Sequence, residues 1–136
     1  MIYLGHESRA RISSNILAVV PQPGSGFIFG TEDTEGNRTV TDIFGLNRKE
    51  NFSISEADLS QALEYGNQHE LKLLGIYTSR TNEEAIPDED LLIADHPEFT
   101  YLIYSVNNSE LGAHRAWRFS ETAGFTEELI SDKPLA

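Results

Sequence analysis

The hydrophobic rhythm of the chain changes several times, and each rhythm predicts an element. Ile12, Ile16, Val19 and Val20 recur at helical spacing with polar residues between them. Pro21 and Pro23 end that helix, and Gly24-Ser-Gly26 leads into a strand at Phe27-Ile-Phe-Gly30. Glu32 to Asn37 is acidic and contains Gly36, which predicts a hairpin turn. Its partner strand is Arg38 to Leu46, rich in β-branched and aromatic residues. Asn47 to Asn51 reads as a polar loop.

The next helix carries explicit start and stop signals. Ser55 stands at the N-cap with Asp58 three residues on, where a carboxylate accepts from first-turn amides and complements the helix dipole. Ile54 and Leu59 are spaced as a hydrophobic staple, and Leu59, Ala62 and Leu63 form the apolar face. Gly66 suits a left-handed C′ position, so a helix is predicted over Glu56 to Tyr65.

Leu71 to Tyr77 is almost continuously apolar, as is Tyr101 to Val106, and both read as strands covered on two faces. Thr78 to Pro87 is predicted as a loop. Asp88 is placed to cap a short helix carrying Leu91, Leu92 and Ala94, which Pro97 would end. After a turn at Asn107 to Gly112, the alternation His114 to Phe119 gives a half-buried strand. Met1 to Leu4 suits a short edge strand, and the acidic C-terminus an edge strand or a loose tail. The expected class is mixed α/β: a central mixed sheet flanked by about three helices, in a single domain over residues 1–136.

Composition narrows the possible chemistry. With no cysteine, thiol nucleophiles, thiolate metal sites and disulfides are excluded. The net charge of −12 argues against binding nucleic-acid backbones. No run is long and apolar enough for a membrane span, and Met1 to Ser8 lacks the basic and apolar regions of a secretion signal, so a cytoplasmic chain is expected. His6, His69, His96 and His114 share no close ligand spacing. No serine sits in a Gly-x-Ser-x-Gly setting.

The order of several segments resembles the JAMM (JAB/MPN) metalloprotease domains. The segments are Gly26-Phe-Ile-Phe-Gly30, Phe52 to Leu63, Leu74-Gly-Ile-Tyr77, Ser79, Ala85, Pro87, the Tyr101 strand and Arg115-Ala-Trp-Arg118. Active members of that family are zinc peptidases or isopeptidases that act on ubiquitin-like proteins. The resemblance implies a catalytic Glu three residues before Gly26, a His-x-His-Pro after the central strand, and a Ser and an Asp further on. Here Pro23 stands at the position of the Glu, Thr78-Ser79-Arg80-Thr81 at His-x-His-Pro, Asp88 at the Ser and Leu91 at the Asp.

Threonine, arginine and leucine do not make a zinc site, which needs three donors and an open position. No cofactor is therefore expected, and the implied role is an inactive JAMM/MPN-like domain that binds or scaffolds a protein. The partner would be a ubiquitin-like protein or another MPN domain, the latter in a homo- or heterodimer. Tyr77, Ser79 and Arg80 would line the binding groove. Arg80 would tie the strand end to Asp88 or Asp90, as zinc does in active relatives. Two alternatives stand beside this reading. One is a peptidase with a rearranged metal set. The other is a small regulatory or immunity protein whose acidic surface meets a basic partner.

Overall fold

The structure is a computed structural model, and it describes residues 1–20, 22–46, 54–87 and 98–132. Ten elements follow in the order β1 (Ile2–Tyr3), α1 (His6–Leu17), β2 (Ser25–Glu32), β3 (Arg38–Leu46), α2 (Glu56–Gln68), β4 (Lys72–Thr81), β5 (Thr100–Asn107), β6 (Glu110–Ser120), β7 (Gly124–Glu128) and β8 (Ile130–Ser131).

The architecture departs from the expected sheet flanked by about three helices. All eight strands form one sheet in the order β7-β6-β5-β4-β2-β3-β1-β8. Strands β7 and β8 are the two ends of that order, yet only Leu129 separates them in the chain. The C-terminal segment therefore leaves one edge and joins the other, and the sheet comes close to closing as a barrel. Two helices, not three, accompany it among the described residues. The helix expected after Asp88 falls on residues outside the described part.

Pairing is antiparallel for β2 with β3, β2 with β4, β5 with β6 and β6 with β7. It is parallel for β4 with β5 and for β1 with both β3 and β8. A bulge in β4 opposes Phe29 to Leu73 and Ile28 to Gly75. The extra residue lets Leu74 join the inner core while Leu73 faces outward. Gly75 has no alternative: a Cβ there would lie 1.9 Å from the Thr100 carbonyl oxygen.

Two apolar layers result. The inner core joins α1 (Ile12, Ile16) to Ile28, Ile43, Leu74, Tyr77, Leu102 and Tyr104. The outer layer joins Phe27, Phe29, Ile76 and Tyr101 to α2 through Ala62, Leu59 and Tyr65. The capping box at the start of α2 is formed: Ser55 Oγ accepts from Asp58 N–H at 3.2 Å and Asp58 Oδ2 accepts from Ser55 N–H at 2.9 Å. Gly66 does not end the helix, which runs on to Gln68. It is a packing position instead, where a Cβ would come within 2.8 Å of the Leu71 carbonyl and 3.3 Å of Phe29. Glu70, with φ of 56°, makes the left-handed exit. Strand β4 continues through Thr81, beyond the predicted loop start at Thr78, because β5 pairs with it as far as Val106.

The seam is held by buried charge. Arg38, 3% exposed, donates to Glu32, to the carbonyls of Leu74 and Glu98, and to Thr100 Oγ1, all within 2.8–2.9 Å. Glu32 also takes Lys72 at 2.5 Å. The hydrogen bonds from Lys72 and Arg38 hold the Glu32 carboxyl well below its usual range, at about 2. Glu128 on β7 accepts from Thr100 and from Arg118, and the Met1 amino group lies 3.3 Å away.

Candidate functional site

At the other end of β2 and β4, the ladder puts Ser25 opposite Thr78. One residue earlier, Gly24 is held by three hydrogen bonds from β4. Its N–H donates to Ser79 Oγ at 2.8 Å, and its carbonyl accepts from Ser79 N–H at 3.0 Å and from Thr78 Oγ1 at 3.2 Å. Both hydroxyls are buried with their residues. Only glycine fits here without pressure, since a Cβ would sit 3.0 Å from the Ile16 Cα. Pro23 is half-buried beside this clasp. The two positions singled out in the sequence, Pro23 and Thr78, thus come together in space, although 55 residues separate Gly24 from Ser79.

Alternation along β4 turns Tyr77 and Ser79 inward and Arg80 to the opposite face. Tyr77 is 0% exposed and its hydroxyl accepts from Asn15 Nδ2 at 3.1 Å. Burial pushes its ionisation up. Of the three residues expected to line a groove, Tyr77 and Ser79 therefore face the interior, and Arg80 alone reaches solvent with 22% of its side chain. Ser79 lies in the stretch predicted as loop, where alternation does not apply, whereas Tyr77 ends the predicted strand.

Arg80 fixes the segment that follows. Nε and Nη2 both lie 2.9 Å from Glu83 Oε2, and Nη1 donates to the Ile86 carbonyl at 3.0 Å. Three other strand residues hold the same segment. Asn82 N–H donates to the Val106 carbonyl at 2.7 Å, Ser105 Oγ to the Glu83 carbonyl at 2.7 Å, and Trp117 Nε1 to the Ala85 carbonyl at 3.0 Å. Arg115 covers Trp117, its guanidinium 4.7 Å from the ring, and pairs with Glu127 at 2.8 Å. Asn82 takes the left-handed conformation, φ 57°, that turns the chain out of β4. Beside this segment lies an open cleft of about 460 Å³ lined by Arg80, Asn82, Glu83, Glu84, Ile86 and Pro87.

The residues expected to pair with Arg80, Asp88 and Asp90, lie outside the described part, as does Leu91. A described carboxylate that Arg80 does take is Glu83, three residues on. That i, i+3 spacing was visible in the sequence. The ties from Ser105 and Trp117, far along the chain, were not.

These side chains do not suit a resident zinc ion. The Thr78 hydroxyl is spent on the Gly24 carbonyl, Arg80 brings a fixed cation, and Pro23 offers no base. Among the described residues no three His, Cys, Asp or Glu side chains gather into a metal-holding group. His6 starts α1, His69 stacks on Tyr65 at the end of α2 and His114 lies on β6, so the described histidines are apart. No described helix is long and apolar enough to cross a membrane.

No family model matches the chain, and neither does any curated protein. Solved structures do resemble it. The solution structure of protein DSY2949 from Desulfitobacterium hafniense superposes with a TM-score of 0.79 at 22% identity, covering 96% of this chain and 92% of that one. The solution structure of a protein from Salinibacter ruber gives 0.74 at 26% identity, covering 99% and 95%. The likeness extends over nearly the whole of each chain, so the near-closed eight-stranded architecture is a shared fold.

Proposed function

We propose that this chain is a protein-binding module of JAMM/MPN type in which the place of a metal centre has become a backbone clasp. The observation that carries this reading is the Gly24–Thr78–Ser79 clasp beside Pro23. The resemblance puts a catalytic Glu and a first zinc ligand at Pro23 and Thr78. Gly24, which follows Pro23, is bonded to Thr78 and Ser79, and this supports treating those positions as one place. Their local polar groups are engaged in holding the chain, with both hydroxyls bonded to Gly24. A hydrolase needs an activated water and a base at such a place, and neither Thr78 nor Pro23 can supply one.

Binding falls to the cleft beside Arg80. Its wall is the segment 82–87, ordered by ties from three strands, and Ile86 presents an apolar side chain that is 40% exposed. A wall fixed before binding loses little entropy on contact, which favours recognition. The partner in this reading is a ubiquitin-like protein.

Titration of ¹⁵N-labelled protein with a ubiquitin-fold sulfur-carrier protein bearing a free Gly-Gly tail tests this. Shift changes are expected at residues 80–87, with no cleavage of a C-terminal fusion of the same carrier. Cleavage that rises with added zinc would overturn the reading. An absence of shifts at 80–87 would remove ubiquitin-like proteins as the partner class.

A further inference from the structure

Among the described residues helix α1 is hydrogen-bonded to the barrel through its side chains along one flank only, while its Ile12–Ile16 stripe packs into the inner core. At about 100° per residue, Arg11 and Asn15 fall on one flank of the Ile12–Ile16 stripe, and Arg9 and Ser13 on the other. The first flank is bonded. Arg11 donates to Asp42 at 3.0 Å and to the Ile43 carbonyl at 3.2 Å, and Asn15 to the Tyr77 hydroxyl at 3.1 Å. The second flank faces β6, and among the described residues no hydrogen bond or ion pair joins α1 to β6. Strand β6 is itself exposed there, because β7 pairs only with Ala116–Ser120 and leaves Glu110–Arg115 without a second neighbour among the described strands.

Two further observations fall at that unbonded flank. Tyr104 is 3% exposed, and its hydroxyl is the one buried side-chain polar atom without a partner among the described residues. His114, opposite Tyr104 in the β5–β6 ladder, stacks on its ring with centroids 5.1 Å apart. Arg9, which has no ion pair among the described residues, is the charge from α1 that bears on both. Neighbouring Arg115 turns to the other face of β6, onto Trp117 and Glu127. The groups facing His114 are thus a neutral phenol from β5 and a cation from α1.

We propose that α1 is a flap hinged along β3, whose β6 side opens on acidification with His114 as the trigger. Protonating His114 sets a second cation beside Arg9 in a half-buried place. Opening separates the two charges, hydrates the imidazolium and exposes to solvent the Tyr104 hydroxyl, which has no partner among the described residues when closed. Burial first, and Arg9 second, hold the His114 ionisation below its ordinary value. The closed form therefore resists the proton that the open form accepts near pH 6.5, and opening becomes easier as pH falls below that point.

The experiment is amide hydrogen exchange read as protection factors, corrected for intrinsic rates, at pH 7.5 and 5.5. Protection in α1 and at 111–115 is expected to fall about 3- to 10-fold at the lower pH, while the β2–β4 ladder is unchanged. His114→Phe keeps the stacking on Tyr104 and should abolish the dependence. Arg9→Gln should weaken it, and Tyr104→Phe should raise protection of the same segments at both pH values. Equal protection of α1 at the two pH values would overturn the proposal. So would an undiminished pH dependence in His114→Phe, or reduced protection in Tyr104→Phe.

Discussion

The two ends of this barrel solve the same problem, an incompletely closed sheet, by opposite means. At the seam, short strands β1 and β8 close the ladder, and charge is buried with its partners. Arg38 reaches four groups on three other segments, and Glu128 gathers donors from β5 and β6. At the other end, β3 beyond Thr39 and β6 before Ala116 have no strand on their outer edges among those described. A helix lies over that gap instead, and Arg11 and Asp42 cap the backbone of Ile43. A sheet edge covered by a helix and blunted by charge avoids pairing with other chains. The difference is one of permanence: the seam is built to stay shut, whereas the helix-covered end is bonded along one flank.

The largest expected effect comes from breaking the seam. Arg38→Ala leaves Glu32 and two carbonyls without their buried donor. It should cost about 3–5 kcal/mol in urea unfolding. A loss under about 1 kcal/mol would mean that the seam is not organised by Arg38.

The clasp should matter less. Ser79→Ala leaves the Gly24 N–H buried without its side-chain acceptor, and about 1–3 kcal/mol should be lost. Ser55→Ala, which removes one arm of the capping box on α2, should cost about 1 kcal/mol. This variant is a reference for an ordinary cap, and a clasp loss no larger than this one would bring the two regions closer than the account allows.

A separate effect is in pH. Glu32 titrates at about 2 in the fold against 4.5 ordinarily, because Lys72 and Arg38 bond its charged form. Its contribution is present above pH 4.5 and is lost as pH falls from 4.5 through about 2. Acid unfolding of Glu32→Gln should be flatter than that of the parent across this window. An identical slope would remove Glu32 from the seam.

Many of the individual elements were legible in local chemistry, and the architecture, which is long-range, was not. Ser55 and Asp58 announced the start of α2 because a capping box is complete within four residues. The apolar runs at Leu71–Tyr77 and Tyr101–Val106 announced two central strands because both faces are covered. Gly66 misled, since a glycine near a helix end has the same signature whether it serves as a cap or as a contact for Phe29. The closure through β7 and β8 had no local signal: two residues pairing with Ile2 and Tyr3 do not make a pattern. Of the candidate site, Pro23, Thr78 and Arg80 were picked out in the sequence as positions. Their use was not, because Gly24 accepts and donates through its backbone, which leaves no mark in a side-chain sequence.

The central claim is that this place holds backbone rather than metal. Zinc analysis of untagged protein, purified from zinc-supplemented cells, tests it most directly. The account predicts well under about one zinc per ten chains, far from the full site that three protein ligands would fill. One zinc per chain, lost on chelation together with protection at Gly24 and Ser79, would contradict it.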